Sequence, residues 1–418
     1  MQKNKLDVII IGAGLAGLAA AKILKEVGKR ILIIESSDGI GGRVRTDSKD
    51  GYLLDRGFQV LFTAYPEAKS MLNYEKLNLK NFKSGAFILD SSDTYEIADP
   101  FSSPGLLFKT LFSPVGSFKD KLLLLAMRFR LYFTSVDEIF ARKEKKTLDY
   151  LRELGFSEKF IQKFFIPFFS GIFLESNLNT SSRMFEFVFK MLSEGSAAVP
   201  AKGMGMISEQ LAEVLDEDEL ALNEKIIEIE GNKVYGASGA SFESKVILIA
   251  TDAINVVKPF NKRVNSNSKN ATTLYFIANI ETVFKDKILV NSNSEQLINN
   301  IVFINQIAPL YAPKNQSLIA VSLRERNYVY DAHLEDVVRN ELLQWFPTSL
   351  NWQLLAKYEI PYALPENSSV SNSAELSKIR IADNVFICGD HLLNGSINAA
   401  LKSGRMAAEK MLSSKLLS

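Results

Sequence analysis

One cysteine, Cys388, in a chain of 418 residues leaves no internal disulfide to be made, which fits a reducing compartment. The two histidines, His333 and His391, lie far apart and show no metal-ligand spacing, so no metal centre is expected. An excess of one charge is also missing. Lysine plus arginine number 49 against 48 aspartate plus glutamate, a formal net charge of +1. Nothing global therefore recruits nucleic acid or an acidic partner. The longest oily stretch, Leu122–Met127, is cut by Arg128 and Arg130, far short of the ~20 residues a membrane span requires. The run Leu6–Ile11 ends at Gly12 without a small-residue cleavage site and does not read as a signal peptide. A cytoplasmic protein is expected, with at most peripheral membrane contact. Hydrophobic residues at 47% and charged residues at 23% are the profile of a globular chain, and the length calls for two or three domains.

What is present begins at the N-terminus. Asp7–Ile11 is a continuous apolar run after its first residue and predicts a strand buried on both faces of a parallel sheet. Gly12-Ala13-Gly14-Leu15-Ala16-Gly17 follows, then an Ala/Leu-rich helix to about Val27, Gly28 as its stop, and a second strand Arg30–Ile34 ending in Glu35. Gly12 allows a tight turn, Gly14 lets backbone approach a pyrophosphate, and Gly17 lets helix and sheet pack closely. The helix N-terminus, with Leu15 and Ala16, offers N–H groups to the phosphates. Glu35 can accept from ribose hydroxyls and repels a 2′-phosphate. Small residues alone also permit ordinary helix packing, but here strand, glycines, helix, second strand and acid occur in register.

Beyond Glu35, Gly41-Gly42-Arg43 adds a close backbone approach and a cation suited to a diphosphate. With Thr46 completing Gly-Gly-Arg-x-x-Thr, the chain resembles the superfamily of flavin-dependent amine oxidases, phytoene desaturases and protoporphyrinogen oxidases. The resemblance resumes at Asp55-Arg56-Gly57-Phe58-Gln59, at Pro200-Ala201-Lys202-Gly203-Met204-Gly205, where Lys202 stands for a family glycine, and at the strand Val246–Ala250 followed by Thr251. It is most telling at Val385–Asp390, a strand ending in Gly389-Asp390, followed by Ser396-Ile397-Asn398 at the start of a helix carrying Ser403 and Gly404. The resemblance implies non-covalent FAD, with Asp390 on the ribityl chain, the N-terminus at Ser396–Asn398 facing the ring, Gly57, Phe58 and Gln59 beside it, Ile226 near the adenine, and Ala250 and Thr251 also among the cofactor-binding residues. It implies an oxidoreductase that removes hydride from a lipophilic or amine-bearing small molecule. A flavin-dependent isomerase and a non-catalytic lipid-binding escort are the alternatives. Catalytic candidates are Tyr362, which ends a strand aimed by analogy at the ring, Gln59 through its amide, and His391 next to Asp390. The alternatives for them are a packed tyrosine before a proline turn and a loop histidine. Cys388 reads as buried filler.

The fold class expected is α/β with an α+β second domain. A Rossmann-type FAD-binding domain (1–85, 196–265 and 375–418) is interleaved with a substrate domain (86–195 and 266–374). The substrate domain combines a mixed sheet with a helical insert at about 101–193. Seventeen of the 28 phenylalanines fall between Phe101 and Phe189. Helices are expected over 118–141, 147–154, 157–165 and 181–193, and Pro167 is expected to break any helix there and turn Phe164–Phe169 outward from its axis. Burying a phenylalanine gives about 1.5–3 kcal/mol, so this many are not left in water. They form a helical core, or else a greasy tunnel or membrane-resting face beside the basic first helix. Strands are expected over 272–280, 297–304, 318–323 and 354–360, a helix over 332–346, and a domain-crossing loop at Asn261–Asn270.

Overall fold

Val8, Ile9 and Ile10 are wholly removed from water because their strand is paired on both edges and covered on both faces. The computed structural model describes residues 6–90, 93–97, 115–251, 267–280, 284, 286–324, 333–366 and 369–417. Leu6–Ile11 lies in parallel register between Ile31–Ile34 and Ser241–Ile249. Leu220–Ala221 extends the sheet beyond Ile31–Ile34, and Val385–Ile387 pairs in parallel with Ser241–Ile249. The meander Ile226–Glu230 and Lys233–Gly236, turning at Gly231, completes seven strands among the described residues. The last strand therefore lies one strand away from the first.

The helices Leu15–Glu26 and Ile397–Leu412 cross closely over this sheet. A Cβ on Gly404 would stand 2.1 Å from the Ala16 carbonyl oxygen, and one on Gly17 would stand 2.1 Å from that of Gly12. Only glycine permits either approach.

The second sheet runs in the order Gln353–Pro365, Ser268–Ala278, Ser317–Leu323, Ile298–Phe303, Ile288–Asn291, Ala86–Asp90 and Asp93–Ile97. Its pairs are antiparallel except Ile288–Asn291 with Ala86–Asp90. Side chains alternate between its faces. Leu274, Phe276, Ile301 and Phe303 pack with Val338 and Leu342 of the helix Leu334–Leu342 and with Trp352. Tyr275, Val290, Val302 and Leu318 face the other way, into the core shared with the insert.

Two expectations for the insert are corrected. The stretch 118–141 is two helices, Phe118–Tyr132 and Val136–Ala141, because Ser135 heads the second with a capping box to Glu138. Pro167 does not break its helix. Glu158–Phe160 runs through a π-helical turn, Ile161–Phe165, into Ile166–Phe173, and the wider turn seats a residue without an N–H. Phe160, Phe165 and Phe169 consequently point into the core. Residues 98–114, with Phe101, Phe108 and Phe112, and residues 261–266 of the expected crossing loop lie outside the described residues.

Candidate active site

A cavity of about 2000 Å³ opens along the carboxyl ends of the first sheet's parallel strands and continues between the second sheet and the insert. Its narrow end is built on Gly12 and Gly14. Gly12 has φ 107°, and a Cβ there would stand 2.7 Å from the Ala250 carbonyl oxygen. Gly14 has ordinary backbone angles, φ −72° and ψ 174°, and a Cβ there would meet no protein atom. It borders the cavity, so the missing side chain leaves room for something other than protein. The helix starting at Leu15 has no side-chain cap and no acid in its first turn, which leaves its positive end to a bound anion. Gly41 donates its N–H to the Ala13 carbonyl at 2.7 Å and bridges to Gly14, so the Gly41-Gly42 turn forms the adjoining wall.

Glu35 accepts from the Ala13 N–H at 2.8 Å and the Ser37 N–H at 2.9 Å, and it lines the cavity. Arg43 makes a two-pronged ion pair with Asp390, at 2.7 and 3.0 Å, and also donates to the Ala363 carbonyl at 3.0 Å. Its guanidinium carbon lies 5.3 Å from the centre of the Tyr362 ring. Burial alone would raise the Asp390 carboxyl, but the Arg43 charge and hydrogen bonds outweigh it and hold the group below its ordinary value.

Gly389 donates its N–H to Ser403 Oγ at 2.9 Å, and a Cβ on Gly389 would stand 2.4 Å from the His391 ring. The imidazole thus folds back over its own loop, with one edge on the cavity. The helix Ile397–Leu412 is capped by Ser396, whose Oγ accepts from the Ala399 N–H at 3.0 Å. Ser396, Ile397 and Ala400 line the same cavity, so two helix N-termini from opposite chain ends converge on it. Gly57, Phe58, Ile226, Ala250 and Thr251 line it as well.

Two candidates, Asn398 and Gln59, do other work, and Gly17 has the packing role expected of it. Asn398 does not border the cavity; its Oδ1 accepts from the Glu67 N–H at 3.0 Å and so caps the helix Pro66–Met71. Gly17 packs against Gly12 rather than facing the cavity. Gln59 borders the cavity, but its amide nitrogen donates to the Arg43 carbonyl at 2.7 Å and the Arg56 carbonyl at 3.1 Å. The Gln59 amide ties the Arg43 loop to the Asp55–Gln59 segment, so it acts as a positioning group. Cys388 is fully buried, and burial pushes its thiol far up.

Asp55 links the site to the second sheet. Its carboxyl accepts from the Tyr311 hydroxyl at 2.7 Å, the Met204 N–H at 2.8 Å and the Thr46 hydroxyl, while Tyr275 donates to its main-chain carbonyl at 2.8 Å. Thr46 in turn accepts from the Gly205 N–H at 2.8 Å. The Pro200–Gly205 turn is thereby locked to the Thr46–Asp55 hairpin, with Lys202 exposed and spared a positive φ.

The wide end of the cavity is mostly apolar, with Lys121, Arg128 and Asn300 also on the lining. Phe164 and Phe168, stacked at 5.9 Å, share it with Ile172, Met184, Val188 and Leu192. Met184, Val188 and Leu192 repeat every four residues along the helix Ser182–Glu194, a spacing that marks one helix face, but no motif singled them out. Tyr65 was equally invisible. It is buried beside Ser396, stacks on Phe187 at 5.7 Å, and burial pushes its hydroxyl far up against a hydrogen bond to Ser396.

The model of the family described as flavin containing amine oxidoreductase matches residues 15–412. Over 77 residues, 18% of this chain, the sequence is 36% identical to the 15-cis-phytoene desaturase of an Oncidium hybrid cultivar, covering 13% of that protein. Over 105 residues, 25% of this chain, it is 35% identical to the L-amino-acid oxidase of Siganus canaliculatus, covering 18% of that protein. The matched stretches thus span less than a fifth of these two curated relatives. The fold is shared over the full length with putrescine oxidase bound to putrescine, with a TM-score of 0.71 and 14% identity, covering 98% of this chain and 99% of that one. A family match over nearly the whole chain, on a structure that brings the Gly14 and Asp390 segments to one cavity, establishes that the chain belongs to the flavin containing amine oxidoreductase family.

Proposed function

We propose that the protein binds FAD non-covalently and removes hydride from a lipophilic small molecule. The observation that carries this reading is the single cavity that runs from the glycine cradle into the phenylalanine-lined chamber. The narrow end fits a dinucleotide: the backbone at Gly14 and the Leu15 helix end for the diphosphate, Glu35 for ribose hydroxyls, Ile226 and Thr251 for the adenosine end, Asp390 for the ribityl chain. When bound, the flavin supplies hydride acceptance. The protein's part is positioning, exclusion of water and charge. The helix end at Ser396 directs partial positive charge into the cavity where negative charge would develop. Tyr362 and the Phe58 segment form its walls, and the buried, high-pKa thiol of Cys388 favours a cofactor held without a covalent bond.

The cavity's carboxylates favour a lipophilic substrate over a cationic amine. Among the described residues lining it these are Glu35, Glu224 and Asp390. All sit at the dinucleotide end and already accept from Ala13, Ser238 and Arg43 respectively. The chamber itself offers aromatic and aliphatic surface, which a hydrocarbon or macrocycle would cover.

Anaerobic mixing of the flavin-loaded protein with carotenoids, porphyrinogens and diamines tests this reading. Loss of oxidised-flavin absorbance with a carotenoid or porphyrinogen, and not with diamines, is expected. Reduction by diamines alone overturns the substrate class, and no reduction by any donor overturns the oxidoreductase reading in favour of an escort or isomerase.

A further inference from the structure

The helix Phe118–Tyr132 carries a surface that the proposed chemistry does not use. Phe118, Leu122, Leu125, Phe129 and Tyr132 recur along one side of it, and Phe133 follows at its end. These six side chains are between 40% and 69% exposed, which concentrates large apolar groups on one face where scattered single residues would be ordinary. Phe133 packs edge-on against Phe129 and Tyr132, at 5.0 and 5.1 Å. The opposite side is anchored: Met127 and Leu131 are buried, Arg128 donates to the Ser193 carbonyl at 3.2 Å, and Arg130 pairs with buried Glu186 at 2.6 Å. The exposure is thus a property of a packed helix.

Charge along this segment leans basic, although Glu186 pairs with Arg130 and Arg142 and Glu153 with Lys145. From 118 to 146 there are eight lysines and arginines against four acids. Each acid is engaged within the protein: Asp120 accepts from Ser117 and Ser157, Asp137 from Asn372, Glu138 from the Ser135 N–H, and Glu144 from Ser369 and Val370. Lys119, Lys143 and Lys146 remain exposed. Leu122 and Leu125 belong both to the exposed face and to the lining of the large cavity, so face and cavity mouth are continuous.

We infer that this helix docks the protein on the surface of an anionic lipid bilayer, aromatic face down, with the cavity mouth opening toward the lipid. The occupant is lipid rather than protein because the face borders the mouth of an apolar chamber, which a folded partner seated there would close. At 15 residues the helix spans about 22 Å, too short for the ~30 Å hydrocarbon core, so it lies along the surface. Docking stands on this surface alone; passage of substrate from bilayer to chamber rests on the lipophilic reading above.

Co-sedimentation with vesicles separates the two. The flavin-loaded protein is expected to pellet with phosphatidylcholine vesicles holding about a quarter phosphatidylglycerol, less with phosphatidylcholine alone, and less again at high salt. The triple variant Phe118→Ser/Phe129→Ser/Phe133→Ser is expected to lose about tenfold in bound fraction at unchanged flavin content and melting temperature. Lys119→Glu/Lys143→Glu/Lys146→Glu is expected to lose only the preference for anionic lipid. A wild-type protein that stays in solution with both vesicles overturns docking, as does a triple variant that pellets like wild type. So does a wild-type dimer in light scattering that the triple variant dissolves, which would assign the face to a second copy. Pelleting does not depend on turnover, so failure of the substrate assignment leaves this result standing.

Discussion

Arg43 and Asp390, 347 positions apart, form a two-pronged ion pair whose oxygens and nitrogens approach to 2.7 and 3.0 Å. The pair fastens the Gly-Gly-Arg turn of the first βαβ unit to the Gly-Asp turn before the last helix. Asp390 is buried and Arg43 is about one-third exposed, so removing the acid's charge leaves a partly desolvated guanidinium with the Ala363 carbonyl but without its counter-charge. Asp390→Asn keeps the shape and removes the charge. It is expected to destabilise the protein by about 2–3 kcal/mol and to reduce retained flavin. Thermal melts and the ratio of flavin to protein absorbance check both.

Gly14 and Gly404 separate cofactor binding from folding. Gly14→Val adds a side chain beside the cavity whose Cβ meets no protein atom, at backbone angles valine tolerates. Gly404→Val drives a Cβ into the Ala16 carbonyl oxygen at 2.1 Å. The first variant is expected to melt like flavin-stripped wild type and to show no rise with added FAD, the second to melt well below it. Melting curves with and without FAD give both answers, since a ligand that binds only the folded state raises the transition.

Asp55 confers a pH dependence with a definite sign. Burial pushes its carboxyl from 3.8 up to about 6, against the opposing hydrogen bonds of Thr46, Tyr311 and Met204. The folded state therefore holds the proton more tightly than the unfolded one. The contribution to stability is complete below the unfolded value of 3.8 and is lost as pH rises through about 6. The shift corresponds to roughly 3 kcal/mol. Asp55→Asn is expected to flatten the fall in stability across that window, while retaining acceptors for Thr46 and Met204. Urea melts at a series of pH values in wild type and variant test it.

Glu186 holds the helix Phe118–Tyr132 to the helix Ser182–Glu194. It is 3% exposed and receives Arg130, Arg142 and Tyr150. Glu186→Gln is expected to cost about 2–4 kcal/mol, because two arginines lose their counter-charge. It is also expected to open the Phe118–Ala141 region to protease before the rest of the chain, with flavin content unchanged. Limited proteolysis under native conditions reads out the difference.

The glycine turn and the strands that carry the narrow end of the cavity were legible because geometry dictates their residues. A turn at φ 107° admits glycine at position 12, and a strand buried on both faces demands the run at Val8–Ile11. The Gly389-Asp390 segment was legible through its resemblance to the family's strand ending in Gly-Asp. What escaped depends on contacts between residues far apart in sequence. Asn398 caps a helix 331 positions away, and neither segment announces the other. Gln59 spends its amide on main-chain carbonyls that only the folded loop presents. Pro167 is accommodated by a π-helical turn that has no sequence signature. The break at Ser135 was readable in principle, since Ser135 and Glu138 spell a capping box inside the longer apolar pattern.

The most direct measurement is equilibrium binding of FAD to flavin-stripped protein, compared with Gly14→Val and Asp390→Asn. One FAD per chain for wild type, with binding abolished by Gly14→Val and weakened by Asp390→Asn in variants that remain folded, is the result expected of one cofactor gripped by both ends of the chain. Unchanged affinity in either folded variant would contradict it.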